Sequence, residues 1–179
     1  MKVVRFMKLI SILLFLLLAT TLQAQPASVG SSVYGDFNGD GIKEYAFSVQ
    51  TKSGVGNAVE NGTPGSYAVF FSTNLIPTIV AGCCEIILIN EGDLDGDGAE
   101  DISLYQAPMN GNIYTMTTLS LKDTTWETIV PVFLIPAGGK PLTPKDLDER
   151  VYSKDGIVYY LDNIINDENL TLIEQEVRL

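Results

Sequence analysis

The sequence predicts an all-β fold: a compact antiparallel β domain of two blade-like units, with a short helix near the C-terminus. Three observations lead to this prediction. Short apolar segments alternate with polar residues at a period of two, which is typical of half-buried strands. Glycine, asparagine and aspartate separate these segments, as they do in turns. An acidic, glycine-rich stretch occurs twice, 57 residues apart, each time before a predicted strand.

Residues 1–24 have the pattern of an export signal. Three basic residues precede a run over 9–19 that is apolar apart from Ser11, and the stretch 20–24 is small or polar. The apolar run is shorter than the roughly 18 to 20 residues that a membrane span requires. We therefore expect cleavage after Ala24, with no stable membrane insertion afterwards; an uncleaved membrane anchor is the alternative. The mature chain, 25–179, would form a single β-rich domain that is secreted or periplasmic.

The first predicted unit covers residues 33–73 and is organised around the first acidic stretch. Its strands are predicted from alternation, since Tyr45, Phe47 and Val49 would share one face of a strand and the residues between them the other. A Gly- and Asn-rich loop separates this strand from a returning one. In order, the predicted elements are strands at 33–34 and 44–50, a loop over 51–65 and a strand at 66–72.

The second predicted unit covers residues 86–130 and repeats the same order of elements. A short apolar strand leads into the second acidic stretch, and three further strands follow it, separated by turn residues. In order, the predicted elements are strands at 86–89, 101–106 and 113–121, a turn at 122–123 and a strand at 125–130.

The C-terminal part differs from both units. Thr143 and Pro144 are typical of a helix cap and first position, and they predict a helix of one or two turns over 145–150. Asp155-Gly156 predicts a hairpin turn between short strands at 151–152 and 157–161. The segment 170–177 is compatible with a last strand or a short helix.

Both acidic stretches, GDFNGDGIKE and GDLDGDGAED, follow one nine-residue frame. Oxygen-bearing side chains occupy positions one, three, five and nine, and glycine occupies positions four and six, where positive φ permits a sharp turn. Such a turn would bring the alternate side chains together. These side chains are Asp36, Asn38, Asp40 and Glu44 in the first stretch and Asp93, Asp95, Asp97 and Asp101 in the second.

Converging carboxylates repel each other unless a cation lies between them. Position seven, Ile42 or Ala99, can add only a backbone carbonyl, so every predicted ligand is oxygen, which favours calcium over magnesium. The chain contains no histidine and neither stretch contains cysteine, so zinc, copper and iron lack their usual ligands. We predict two Ca²⁺ sites; solvated acidic turns without an ion are the alternative. An EF-hand is excluded because position twelve is Phe47 or Leu104 rather than glutamate.

An acidic loop that enters a β-strand resembles the FG-GAP or VCBS-type repeats of integrin-like β-propellers and bacterial secreted proteins, whose motif is close to GDFNGDGxxDxxx. The resemblance covers about fourteen residues at each stretch and implies calcium binding. In the family pattern an aspartate stands where this chain has Glu44. The ligands implied by the resemblance are Asp36, Asn38, Asp40, Ile42 and Glu44, and Asp93, Asp95, Asp97, Ala99 and Asp101.

The second stretch offers four carboxylates and the first only three, because Asn38 is neutral. Calcium affinity in oxygen-ligand loops rises with ligand charge. We therefore expect the second stretch to bind calcium more tightly than the first.

The net charge and the two cysteines restrict which partners the chain is expected to bind and which disulfides it can form. Three of the eleven basic residues and none of the 22 acidic ones precede the predicted cleavage point, so the mature net charge is −14. Such a chain is not expected to bind nucleic acid or anionic lipid. The two cysteines, Cys83 and Cys84, are adjacent; we expect two separate thiols on opposite faces of a strand, and a bond between neighbours is the alternative.

These observations predict an exported calcium-binding β domain in which the ions are structural and the role is binding or scaffolding. The partner would be a protein or a glycan. The alternative is a secreted hydrolase that resembles a glycosidase, which would need a carboxylate pair about 5 to 9 Å apart. Outside the acidic stretches, carboxylates such as Glu60, Glu85 and Glu127 form no recognisable pair, so an enzyme is the less favoured class.

Overall fold

The computed structural model describes residues 29–137, 142–164, 167 and 169–178, so the predicted signal and cleavage point lie outside the described residues. The predicted all-β fold of antiparallel sheets with one short helix near the C-terminus is confirmed. In chain order, the described elements are β1 (Val29–Gly30), β2 (Ser32–Gly35), β3 (Glu44–Lys52), β4 (Ser66–Phe71), β5 (Ile79–Gly82), β6 (Ile86–Gly92), β7 (Asp101–Gln106), β8 (Ile113–Lys122), β9 (Thr125–Pro136), α1 (Pro144–Asp148), β10 (Val151–Lys154), β11 (Ile157–Asn163) and β12 (Leu172–Val177).

The strands form three antiparallel sheets. One has four strands in the order β2-β3-β4-β5, one has five in the order β1-β6-β7-β8-β9, and one has three in the order β10-β11-β12. The two larger sheets each contain an acidic stretch between their first meander strands: it connects β2 to β3 in one sheet and β6 to β7 in the other. Both acidic stretches therefore take equivalent places in successive sheets.

The five-stranded sheet lies in the middle, because each of its faces contributes to a different core. Its strand β7 is buried over five of its six residues. The first core joins it to the four-stranded sheet, and the second joins it to α1 and the C-terminal sheet. The first core includes Val33, Phe37, Ala46, Val69, Ile86, Leu88, Ile102 and Leu104. The second includes Ile89, Leu94, Tyr105, Met116, Phe133, Leu147, Val151 and Val158.

Strand β9 is longer than its sequence predicts, since it continues through Pro131 to Pro136. Its pairing with β8 shifts register on either side of Thr118, so an irregularity accommodates the proline. Strand β9 also lies at the edge of its sheet, where a missing backbone N–H is tolerated. Strands β1 and β5 were not predicted; each is only two to four residues long.

The alternation predicted for β3 is confirmed, but its aromatic face is the exposed one. Ala46 is fully buried against the central sheet, whereas Tyr45 and Phe47 lie on the outside. There Phe47 stacks on Phe70 of β4, with ring centroids 6.3 Å apart. The small side chain of Ala46 faces inward, where the two sheets approach each other.

In the C-terminal part, the predicted helix and hairpin are both present. Helix α1 begins after Thr143, which forms a capping box with Asp146, and it ends at Asp148, two residues before the predicted end. The turn at Asp155-Gly156 joins β10 to β11, and the last segment is a strand rather than a helix.

The expectation of two separate cysteine thiols is wrong, since Cys83 and Cys84 are joined by a disulfide. Both residues lie in the connection between β5 and β6 rather than within a strand. The pleat that would have directed neighbouring side chains to opposite faces is therefore absent at this point.

Candidate metal site

The first acidic stretch forms a compact turn, here called loop 1 (residues 36–44). Asp36 accepts hydrogen bonds from the backbone N–H of Asp40 at 3.1 Å and of Gly41 at 2.8 Å. Asn38 Oδ1 also accepts from Asp40 N–H at 3.1 Å. Asp40 Oδ1 accepts from Ile42 N–H at 2.7 Å. The side chains at positions one, three and five thus close the turn around its own backbone.

The second acidic stretch, loop 2 (residues 93–101), has the same hydrogen-bond pattern. Asp93 accepts from Asp97 N–H at 3.2 Å and from Gly98 N–H at 3.0 Å. Asp95 Oδ1 accepts from Asp97 N–H at 3.2 Å. Asp97 Oδ1 accepts from Ala99 N–H at 2.8 Å. The shared frame in the sequence therefore produces a shared local structure.

Glycines make this turn sterically possible. All four glycines at positions four and six have positive φ, between 69° and 94°. A Cβ at Gly39 would lie 3.4 Å from Gly98 O of loop 2, which is an ordinary van der Waals contact. The positive φ, rather than the closeness of the two loops, is therefore what favours glycine at this position.

Positions two and nine anchor each loop in the protein interior. Position two is Phe37, fully buried in the first core, or Leu94, buried in the second. Position nine is Glu44 or Asp101, which are 5 % and 0 % exposed and are the first residues of β3 and β7. Each loop is therefore held at both ends by groups that water does not reach.

Each carboxylate at position nine has one oxygen atom without a partner. Asp101 Oδ2 accepts a hydrogen bond from Leu94 N–H at 2.9 Å, but Asp101 Oδ1 is buried and has no partner. Glu44 Oε2 is likewise buried without a partner. A buried carboxylate oxygen with no donor costs free energy unless a cation or a proton satisfies it.

Burial also shifts the pKa values of these two carboxyl groups. Burial raises the pKa of Asp101 to about 6, with hydrogen bonding to Leu94 opposing the shift and the charges of Asp95 and Asp97 adding to it. Burial also raises the pKa of Glu44, and the backbone of Phe37 opposes that shift. In both loops the local environment disfavours a bare negative charge at position nine.

Three carboxylates of loop 2 converge. Asp93, Asp95 and Asp101 each offer an oxygen, and these atoms lie within 4.8 Å of one another. Among the described residues, this is the single group of three acidic, cysteine or histidine side chains with that spacing. The sequence-predicted carboxylates of loop 1, Asp36, Asp40 and Glu44, do not form such a group. Loop 2 therefore has the more convergent arrangement.

The remaining predicted ligands lie elsewhere in the same loops. Asp97 lies outside the group of three converging carboxylates and pairs with Lys122. Asn38 donates to Asp40 Oδ2 at 3.0 Å. At position seven, Ile42 and Ala99 donate their N–H groups to the carboxylate at position five. Their carbonyls are left as the only groups through which they could reach a cation.

Lys122 is a member of the site that the sequence did not predict. It ends β8, and its Nζ lies 2.5 Å from Asp95 Oδ2 and 2.6 Å from Asp97 Oδ2. Burial raises the pKa of Asp97, but hydrogen bonding to Lys122 outweighs it and the net shift is downward. Twenty-five residues separate Lys122 from Asp97, and only the return of β8 beside β7 brings them together.

The two loops contact each other directly. Glu100 N–H donates to Asp36 O at 2.7 Å, and the Glu100 carboxylate pairs with Lys43 of loop 1 at 2.6 Å. Asn90 Nδ2 donates both to Glu100 Oε2 at 2.6 Å and to Tyr34 O at 2.9 Å. Lys43 is next to the predicted ligand Glu44, but it neutralises Glu100, which is not a predicted ligand.

Comparison with protein-family models, with curated proteins and with solved structures returns no match for this chain. In the described part of the chain, no helix is long and apolar enough to cross a membrane.

Proposed function

We propose that this chain is an exported calcium-binding β domain in which the ions are structural and the role is binding or scaffolding. The observation that carries the proposal is the carboxylate at position nine, which in both loops is buried with one oxygen unpartnered. In loop 2 that oxygen belongs to a residue whose carboxylate converges with those of Asp93 and Asp95. A cation would satisfy the buried oxygen and remove the repulsion among the three carboxylates.

The donor set favours calcium among the common cations. Carboxylate, amide and backbone carbonyl oxygens are hard ligands, and the loops supply nothing softer. Magnesium prefers a stricter octahedron and retains its waters, whereas calcium accepts six to eight oxygens in irregular geometry. Asp93, Asp95, Asp97 and Asp101 would hold the ion in loop 2, with Ala99 adding its carbonyl. Asp36, Asn38, Asp40, Ile42 and Glu44 would do the same in loop 1.

A structural role follows from where the loops are anchored. Position nine begins strands β3 and β7, and position two lies in a hydrophobic core. An ion between positions one and nine would therefore tie the entry of each turn to the first residue of the following strand. Because such an ion binds the folded chain alone, it would stabilise the fold by linkage.

Export and a binding role rest on the sequence. The N-terminal basic and apolar pattern supports secretion or entry into the periplasm, where calcium is abundant and a net charge of −14 is partly neutralised by bound ions. A binding or scaffolding role, with a protein or glycan as partner, is proposed because the carboxylates outside the acidic stretches form no recognisable catalytic pair in the sequence. Mass spectrometry of the exported protein should detect an amino terminus near Gln25; intact Met1 in the membrane fraction would overturn this part of the proposal.

Calcium should raise the melting temperature of the mature chain. With an affinity near 10⁻⁴ M, at the tighter end for extracellular modules, about 10 mM calcium stabilises by about 2.7 kcal/mol per site. For a chain of this size, that corresponds to a rise of about 5 to 10 °C per site. Differential scanning calorimetry in calcium, in magnesium and in chelator measures the effect.

Asp101→Asn tests whether the effect comes from loop 2. The neutral amide keeps the size of the side chain and removes a buried charge, so the variant should fold in chelator at least as stably as the wild type. In calcium it should lose the part of the shift due to loop 2. The matched control is Asp155→Asn in the β10–β11 turn, whose φ of 54° asparagine also tolerates. A wild-type melting temperature unaffected by calcium, or an Asp101→Asn variant stabilised as fully as the control, would contradict the proposal.

A further inference from the structure

A lysine side chain occupies part of the loop 2 carboxylate cluster. The Lys122 ammonium pairs with both Asp95 and Asp97, and the Asp95 side chain is only 8 % exposed. Asp95 also belongs to the group of three carboxylates that converge within 4.8 Å. The Asp95 carboxylate is therefore shared between the Lys122 ammonium and the proposed calcium site.

We propose that Lys122 is a tethered competitor of calcium, which sets the calcium concentration at which loop 2 fills. This inference rests on the proposed function, since it assigns a regulatory residue to the same site. Lys122 neutralises Asp95 and Asp97 while calcium is scarce. Calcium entry requires the ammonium to leave, because a divalent ion and an ammonium bound to one carboxylate repel each other strongly.

The surroundings of Lys122 provide an alternative position for the released ammonium. A cavity of about 480 Å³ adjoins loop 2, and Asp95, Asp97, Lys122 and Glu127 all line it. Glu127 lies on β9, directly across the hairpin from Ser120 of β8. Since Ser120 and Lys122 are two residues apart on one strand, Glu127 lies on the same face of the hairpin as Lys122. Arg178 also lines the cavity. In this proposal the released ammonium moves toward the Glu127 carboxylate, so calcium binding exchanges one ion pair for another.

Among the described contacts of loop 1, no lysine pairs with a predicted ligand carboxylate. Its neighbouring lysine, Lys43, pairs with Glu100, which lies outside the nine-residue frame's ligand positions. Calcium can therefore enter loop 1 without displacing an ammonium. The extra carboxylate of loop 2 predicts a higher calcium affinity than that of loop 1. Lys122 lowers this affinity, because its ammonium must first leave Asp95.

Calorimetric titration of calcium into three proteins tests the inference: the wild type, Lys122→Met and the control Lys145→Met. Lys145 is exposed and pairs only loosely with Glu149, at 3.8 Å, so its removal changes the net charge equally without touching either loop. We expect Lys122→Met to tighten the loop 2 event by about tenfold, since affinity follows the net ligand charge. The loop 1 event should be unchanged, as should both events in the control. Adding Asp36→Asn to each protein disables loop 1 and identifies which event belongs to loop 2.

A second measurement follows Lys122 itself. In wild-type protein with ¹³C-methylated lysines, the Lys122 resonance should shift during filling of loop 2, while that of Lys145 should not. The inference would be overturned if Lys122→Met bound calcium at loop 2 no more tightly than the wild type does. It would also be overturned if the Lys122 resonance of the wild type did not respond to calcium. Either result would leave calcium binding itself intact. Lys122→Gln repeats the titration with a side chain that retains hydrogen bonding, in case the methionine variant fails to fold. A wild type and a Lys122→Met variant that both bind no calcium would overturn the proposed function as well.

Discussion

Replacing Phe37 by alanine is expected to destabilise the protein by about 3 to 5 kcal/mol, the usual cost of deleting a buried phenylalanine ring. Phe37 is 0 % exposed and meets Phe71 edge to face, with centroids 5.7 Å apart. The loss can be measured by denaturant unfolding followed through Trp126, the only tryptophan of the chain, which stacks on Phe71 at 5.4 Å. Because Phe37 is position two of loop 1, the same variant should also bind calcium more weakly at that loop.

Phe47→Ala is the matched control for Phe37→Ala. Phe47 lies ten residues further along and carries the same ring, but it is on the exposed face of β3 and 36 % of it remains accessible. We expect its removal to cost about 1 kcal/mol or less. If the two variants lose equal stability, the assignment of Phe37 as the interior anchor of loop 1 is wrong.

The second large effect is expected at Glu91, where the carboxylate points into the protein. Glu91 as a residue is half-buried, but its Oε1 is shielded from water and has no hydrogen-bond partner. Burial raises the pKa of Glu91 to about 8 from the usual 4.5; the Ser103 hydroxyl opposes the shift, and the charges of Asp148 and Asp101 add to it. At neutral pH, Glu91 is therefore held largely protonated by the fold.

A raised pKa in a carboxyl group makes the folded state lose stability as pH increases. The unfolded chain releases the Glu91 proton near pH 4.5 and the folded chain only near pH 8, so the loss accumulates between these values. Glu91→Gln keeps a neutral side chain at every pH. We expect it to match the wild type near pH 4 and to exceed it at pH 8 by about 4 kcal/mol, at 1.36 kcal/mol per pKa unit.

Urea denaturation between pH 4 and pH 9 in the presence of chelator measures this difference and keeps metal binding out of the comparison. Glu60→Gln, at an exposed position, serves as the control and should follow the wild-type profile. A Glu91→Gln profile parallel to that of the wild type over the whole range would show that Glu91 is ionised in the fold at neutral pH.

The local parts of this fold could be predicted because the residues that specify them are close in sequence. The alternation in β3 fixes which side chains share a face, and glycines at two positions of a short frame permit a turn with positive φ. The capping box of α1 likewise depends on Thr143 and Asp146, three residues apart. Such features depend on short-range steric and hydrogen-bonding constraints, which a single sequence displays directly.

The parts that could not be predicted depend on contacts between distant segments. Strand β1 is two residues long and exists because it pairs with β6, some 58 residues later. Lys122 reaches Asp95 only through the return of β8, and nothing near either residue in the sequence indicates the other. The alternation in β3 identifies two faces but not which one is buried, because the position of the central sheet decides that.

A crystal structure of the mature chain grown with calcium would show directly whether both loops hold the ion. We expect one ion in each loop, about 2.3 to 2.6 Å from the ligand oxygens. In loop 2 these should include Asp101 Oδ1, with Lys122 withdrawn from Asp95. In loop 1 they should include Glu44 Oε2. Ordered loops without an ion at saturating calcium, with Lys122 still paired to Asp95 and Asp97, would show that these loops are not calcium sites.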